Sequence, residues 1–415
     1  MTNESNVIVK TVPISLCLIA AALLPLSAVQ STELTGRVSV LGTTASAEPG
    51  DAGYEGADND TFTADQQSLR LMLDDSRGRG EWSVHLKMVR QHLSGFPAGA
   101  HHSSDLFRYR DLADDWQQES SGDSSTRAGF EFDRAAYKRR FDRFTVTLGR
   151  QPIDWGSGRF WQPLNVFGAF AATDLDTDFK PGIDSLVLDW YPSAFSSLTA
   201  VHAWAPKDNT AIENSSVLHY RRQVGERVDM SLVAGQVIGN DVAGMSLEGD
   251  WAGMGWRVEW LHTHLQQPDE STDFWIAGID YQFENGTLIA VEWYDNGRGA
   301  TQEASLPVSP TDLLVTYGLQ QHLVRRVLGI AVEKDITPLL HGGYTLLISP
   351  LNGADGHAAT SVLHQFNLSY SVSNESDLLL SLQFANGPGL NQMGESQSEF
   401  GHLPMSLTVR LRFYF

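Results

Sequence analysis

The final strand of the chain constrains its fold more than any other stretch. Leu407, Val409, Leu411, Phe413 and Phe415 alternate with Thr408, Arg410, Arg412 and Tyr414. Successive side chains of an extended strand point to opposite faces, so the apolar residues share one face and both arginines the other. The same period recurs upstream. Leu378, Leu380, Leu382 and Phe384 oppose Ser381 and Gln383; Phe366, Leu368, Tyr370 and Val372 alternate with Asn367, Ser369 and Ser371. Trp256, Val258 and Trp260 alternate with Arg257 and Glu259, Phe144, Val146 and Leu148 with Thr145 and Thr147, and Leu186, Leu188 and Trp190 oppose Asp189. A charge on a lipid-facing strand position costs about 2–4 kcal/mol at mid-membrane. One apolar and one polar face therefore suit a closed barrel with hydrocarbon outside and water inside.

The pattern predicts an all-β fold, a transmembrane antiparallel barrel of about eighteen strands. They fall near 34–43, 66–75, 80–94, 128–141, 144–153, 183–192, 195–205, 214–223, 227–238, 241–251, 255–266, 272–283, 286–296, 326–335, 339–349, 358–372, 376–386 and 404–415. Short links such as Asp142-Arg143, Ser193-Ala194 and Glu284-Asn285 alternate with links that include long ones, 44–65, 95–127, 154–182, 297–325 and 387–403. Short periplasmic turns and long outer loops give this layout, and an even strand number keeps both termini on one side. Leu313 to Leu323 would make an odd strand. It follows Ser309-Pro310-Thr311-Asp312, a helix-start pattern, and reads as a short helix within an outer loop.

The N-terminus fits a secretory signal over residues 1–31. Lys10 precedes the short apolar run Ile14 to Leu26, and small or polar residues follow from Ser27 to Thr32. The run is too short to span a bilayer as a helix, which takes about 20 residues. Cleavage after Ala28 or after Ser31 leaves a barrel domain over 32–415 without cysteine, because Cys17 is the only one in the chain. Disulfides and thiolate chemistry are thereby excluded. A net charge of −21 excludes a nucleic-acid partner, which needs a basic face. It leaves a membrane open, since barrel charges sit in loops and lumen. The 11 Trp, 11 Tyr and 19 Phe can supply aromatic girdles at the bilayer surfaces.

The segment 154–182 is the strongest candidate for function. A strand ends in Gly149-Arg150-Gln151, and a loop rich in Gly, Trp and Pro follows, through Trp155-Gly156 and Phe160-Trp161. Long loops without regular structure are commonly functional or disordered, and the aromatic content speaks against disorder. If it folds into the lumen, Arg150, Gln151, Asp154, Arg159, Lys180 and Asp184 are constriction groups. If it packs on itself outside, Gly149 to Gln151 serves strand closure. Asp174, Asp176 and Asp178 occur at every second residue, a spacing that suits either structural calcium or a solvated acidic loop. His101-His102, with Asp105 nearby, suits an exposed loop or a metal site. On the polar strand faces, Asp189, Glu248, Arg257, Glu259, Glu292, Arg410 and Arg412 point to water. They form either a selecting field or pairs that brace the wall.

The Gly149-Arg150-Gln151…Trp155-Gly156 run, together with this strand layout, resembles a broad group of Gram-negative porin-like proteins that includes the eighteen-stranded alginate-export barrels. The terminal Phe415 resembles the export signature of bacterial outer-membrane barrels. The resemblance implies an outer-membrane location, surrounding lipid and lipopolysaccharide, the barrel-assembly machinery as a partner, and a channel for a small-molecule or oligosaccharide substrate. The chain carries 29 Lys and Arg against 50 Asp and Glu, a departure from the cationic lumen that polyanion export implies. Polysaccharide export, or a structural barrel in a larger envelope complex, is the alternative. A hydrolase would need a Ser–His pair oriented by a third group; the chain has no G-x-S-x-G, though His262 and His264 are available. No cofactor is expected beyond possible calcium.

Overall fold

A computed structural model describes residues 32–54, 56, 60–94, 103–110, 117–121, 124–306, 313–316 and 319–415. The expected signal 1–31, with Cys17, and His101-His102 lie outside these residues.

In chain order the strands are β1 (Thr32–Ser46), β2 (Thr61–Arg77), β3 (Gly80–Ser94), β4 (Gln117–Ser121), β5 (Ser124–Arg140), β6 (Phe144–Gln151), β7 (Ile183–Ser193), β8 (Ser196–Ala203), β9 (Ser215–Val224), β10 (Val228–Val237), β11 (Asn240–Trp251), β12 (Met254–Leu265), β13 (Glu270–Gln282), β14 (Leu288–Asn296), β15 (Arg326–Thr337), β16 (Leu340–Ser349), β17 (Ser361–Ser373), β18 (Ser376–Asn386) and β19 (Met405–Tyr414). Each pairs antiparallel with its neighbours, and β1 pairs with both β2 and β19, which closes the wall. The exception is β4, which pairs only with Ser124 to Ala128 of β5. β5 meets β6 only over Ala135 to Arg140, so β4 borders the part of β5 that rises beyond β6. Eighteen strands thus form the barrel, all at predicted places. β2 and β5 run longer than predicted: the ladder continues through Thr61 to Asp65, where Phe62 and Ala64 still alternate with threonines, and through Ser124 to Arg127, where apolar alternation has ceased. Leu313–Thr316 forms one helical turn, not a strand.

Burial is inverted relative to a water-soluble protein. Leu186, Leu188, Phe366, Leu368, Leu380, Leu407, Val409 and Leu411 are exposed, while Arg37, Arg70, Glu259, Glu292 and Arg410 are buried. The exposed set faces lipid and the buried set faces the lumen. At the short-turn end, the outer face carries aromatic contacts: Trp82 with Tyr137 at 4.3 Å, Tyr281 with Phe283 at 4.9 Å, and Phe144 with Trp190 at 6.3 Å between ring centres. The seam uses the last residue. Phe415 N–H donates to Gly36 O at 3.0 Å, Gly36 N–H to Phe415 O at 2.7 Å, and the Phe415 ring occupies the space a Cβ on residue 36 would need.

The lumen face is not uniformly polar. On β7 to β12, Val187, Val201, Val217, Val233, Val242 and Leu261 point inward and are buried. Water does not cover them; the inner loop described below does. Leu380→Arg, on the lipid face of β18, is expected to destabilise the barrel by about 2–4 kcal/mol if it lies at the bilayer centre. Equilibrium denaturant unfolding in lipid vesicles, read by tryptophan fluorescence, measures it.

Candidate functional site

The loop 152–182, between β6 and β7, lies inside the barrel and follows the wall around its interior. Trp155, Leu164, Val166 and Phe167 pack on the inward valines of β7 to β11 and on Leu261 of β12. Phe160 and Trp161 join Ile276, Ala290, Tyr294 and Val327 of β13 to β15. Gln365 of β17 donates to Thr173 O at 3.1 Å, and Arg410 of β19 donates to Leu175 O. Asp176 and Asp178 then reach Arg37 of β1, and Phe179 lies under the guanidinium groups of Arg37 and Arg70, at 4.9 and 4.3 Å.

Two wall carboxylates fix the first half of the loop. Glu259 of β12, which is 0 % exposed, accepts the backbone N–H groups of Ser157, Gly158 and Leu164, the last two at 3.0 and 3.2 Å. Glu292 of β14 accepts those of Arg159, Phe160 and Trp161 at 2.9, 3.0 and 3.0 Å. A loop has no ladder to satisfy its amides, and a buried unpaired amide costs about 1–3 kcal/mol. Charged acceptors make the stronger class of hydrogen bond. The sequence placed both carboxylates on the water face correctly, but they face the loop's backbone, not open water.

A second anchor lies toward the short-turn end. Arg37 grips Asp176 with both terminal nitrogens at 2.7 Å and Asp178 at 2.9 Å. Arg412 bonds Asp178 at 2.7 Å and its register partner Asp377 at 3.0 Å, and Tyr414 donates to Asp178 at 2.5 Å. Arg410, nearly buried, is covered by the loop. The two arginines expected to line the open lumen are therefore pins for the loop. The acidic run 174–178 meets donors of the chain itself. Asp174 folds back to accept the N–H of Ala171 at 2.7 Å, and arginine cations already occupy Asp176 and Asp178. Among the described residues, no three potential metal-ligating side chains converge.

Arg150, Gln151 and Asp184 belong to the wall. Gly149 has φ +118° and passes so close to β5 that a Cβ would sit 2.2 Å from Ala135 O. Arg150, fully buried, bonds its register partner Asp184 at 2.8 Å, Phe132 O at 3.0 Å and Arg110 O at 2.6 Å. Gln151 bonds Ser185 Oγ at 3.2 Å. These groups close the top of β6. Asp189 accepts from Thr199 at 2.7 Å, and Arg257 pairs with Asp280, so both brace neighbouring strands. Glu248 of β11 lies 3.5 Å from Arg221 of β9, across the intervening β10. Asp154, bonded at 2.7 Å to both Lys180 and Asn165, remains exposed in the lumen, as do Arg159, which pairs with Glu333, and Asp178.

Three groups escaped the sequence reading. Arg70 bonds Asp133 of β5 at 2.5 Å, and Arg108 joins the same cluster through Glu131 at 3.0 Å. Arg70 was legible, since it alternates with Leu69, Leu71 and Leu73; Arg108 sits in a loop with no period to read. Above the inner loop, Trp161 donates to His322 Nε2 at 2.8 Å, and His322 Nδ1 meets Glu399 at 2.9 Å. Glu399 also accepts the N–H groups of Leu323 and Val324, both at 3.1 Å. The segments 319–325 and 387–403 are thus tied to the inner loop.

No family model matches the chain, and no curated protein does. Solved structures do. The chain is similar to a BenF-like porin from Pseudomonas fluorescens Pf-5, at 11% identity and TM-score 0.59, covering 93% of this chain and 99% of that one. It is similar to Pseudomonas aeruginosa OccD3 (OpdP), at 12% identity and TM-score 0.57, covering 93% and 92%. It is also similar to Acinetobacter baumannii OccAB1, at 12% identity and TM-score 0.57, covering 93% and 96%. The fold is that of outer-membrane porins.

The lower anchor responds to acid in a fixed direction. Burial opposes ionisation of Asp176, but its hydrogen bonds and attraction to Arg37 outweigh it and hold the carboxyl below the usual 3.8. Burial is likewise outweighed at Asp178, by the Tyr414 hydrogen bond, then by Arg412 and Arg37. A depressed carboxyl stabilises above its unfolded value and loses that contribution as pH falls through the folded value. Protease cleavage within 170–180 is therefore expected to be equally slow at pH 7 and pH 5 and to begin only below about pH 4, in pulses read on denaturing gels. Separately, Glu259→Ala strands three amides and should open the 155–165 stretch to cleavage at pH 7 while the barrel stays folded.

Proposed function

We propose that this protein is an outer-membrane channel for small hydrophilic solutes, with the loop 152–182 setting its narrowest passage. The carrying observation is the loop's attachment to β1, β12, β14, β17 and β19, which puts it along the inside of the conduit. An eighteen-stranded barrel is wide enough for an aqueous path. Asp154, Arg159 and Asp178 are the loop charges that meet the solute. An apolar outer face and a girdle at its short-turn end support a membrane setting, and the fold shared with porins supports the outer membrane of a Gram-negative cell.

Export of a polyanion would call for free cations along the passage, whereas Arg37 and Arg412 are occupied by loop and wall carboxylates. A hydrolase would need one imidazole nitrogen on a serine and the other on a carboxylate. At Ser83, His85 and Asp74, the same Nε2 faces both partners. At Ser271, His264 and Asp269 two nitrogens are used, at 3.1 and 3.5 Å, but Asp269 is almost fully exposed and orients the ring weakly.

The test is single-channel recording of the refolded protein in a planar bilayer under a salt gradient. Discrete open steps are expected. Deleting 157–178 should raise the step size, and Arg159→Glu should move the reversal potential toward cation preference. A folded barrel with no steps would refute the channel reading. Steps unchanged by the deletion would refute the role of the loop.

A further inference from the structure

On the outer face of the wall, at the long-loop end of β12 to β15, lies a groove of about 430 Å³. Trp260 and Trp275 are register partners and share this face with Val258 and Ile279, which are exposed to lipid. One wall of the groove is acidic. Asp273 accepts Trp260 Nε1–H at 3.0 Å and lies 2.9 Å from His262 Nδ1, with Ser271 next to it on the same face.

Arg325 supplies a cation to the other wall, and Arg326 lies beside it on the same carboxylate. Asp295 of β14, almost fully buried, takes Arg325 on one oxygen at 2.9 Å and its register partner Arg326 on the other at 3.0 Å. Two guanidinium ions thus share one carboxylate. Both contacts run through Nε, which leaves the terminal nitrogens clear of that carboxylate, and both side chains are substantially exposed. Tyr294 and Asn296, on the alternate face, are buried, so this pair stands outside the conduit. A lumen role would not need cations there, and lipid tails would not solvate them.

We propose that this groove binds the phosphorylated sugar headgroup of an outer-leaflet glycolipid. The phosphate sits on Arg325 and Arg326, whose planar donor sets match its oxygens. Sugar hydroxyls donate to Asp273 across the groove, and the indoles of Trp260 and Trp275 mark the headgroup level. The site continues the lipid-facing band, which is why a lipid is the occupant. The inference rests on the outer-membrane reading above, in which the long-loop end faces outward.

The probe is diphosphorylated lipid A added to the refolded full mature chain in detergent micelles, with bound lipid counted by native mass spectrometry. Retention of lipid A should exceed that of its fully dephosphorylated form about tenfold, the effect of losing one charged hydrogen-bond pair. Arg325→Ser with Arg326→Ser should weaken it by a similar factor. Asp295→Asn, which frees both cations, should tighten it, and carries the test if the double variant does not fold. Excess inorganic phosphate should not displace the lipid. Equal retention of both lipids, or no effect of the substitutions, overturns the proposal. Displacement by inorganic phosphate reassigns the site to a free anion and also overturns it. Conductance of the same preparation separates the two readings: open steps without selective lipid retention sink only this one, and selective retention without steps sinks only the channel.

Discussion

Everything inside this barrel depends on two carboxylates that meet backbone instead of side chain. Between them Glu259 and Glu292 accept six consecutive or near-consecutive amide protons of the inner loop. A strand finds its partners in the ladder and a surface loop finds them in water; a loop threaded along a barrel wall has neither. Wall glutamates supply the missing acceptors at fixed height. Ser157 to Trp161 can therefore run in an irregular path without leaving amides orphaned, and Phe160 and Trp161 can turn their rings into apolar company.

That company explains a second feature. Inward valines on β7 to β11 would be exposed to water in an empty conduit. Under Trp155, Leu164 and Phe167 they form a core. The protein has in effect two apolar layers on that side, one against lipid and one against its own loop. On the opposite side, at β1 and β19, the fastening is ionic: Arg37 and Arg412 of the wall against Asp176 and Asp178 of the loop. A chain of strongly negative total charge thus places cations at the wall and directs its own acidic loop onto them. The total charge says little about the field a solute meets.

The sequence made the wall legible because lipid and lumen impose period two on every strand. The signals fade where that pressure ends, as at the polar tip of β5 and in its hairpin partner β4. The inner loop was legible as a loop of consequence, from its length and its aromatic content. Its route was not, because the ties from Arg37, Gln365 and Arg410 join residues far apart in the chain, and alternation says only that such groups face inward. One clue was present and unread. Val187 lies opposite Leu186 and Leu188, and Leu261 continues the face of Arg257 and Glu259, so apolar residues stood on the supposed water face. In a barrel, such positions announce something packed inside. The G-R-Q run had a bland meaning: Gly149 permits close approach to β5, and Arg150 and Gln151 hold β6 to its neighbours.

The order of contacts along the loop has a temporal consequence. Residues 152–182 emerge between β6 and β7, yet they are held by β12, β14, β17, β19 and β1. Most of those partners lie later in the chain, and Arg37 and Arg412 come to face Asp178 together only once the first and last strands have joined. The loop cannot reach its final seat while the sheet is open. A seated loop is therefore a record that insertion has finished and that the seam between Gly36 and Phe415 has formed, which makes the conduit's lining the last part of the molecule to take shape.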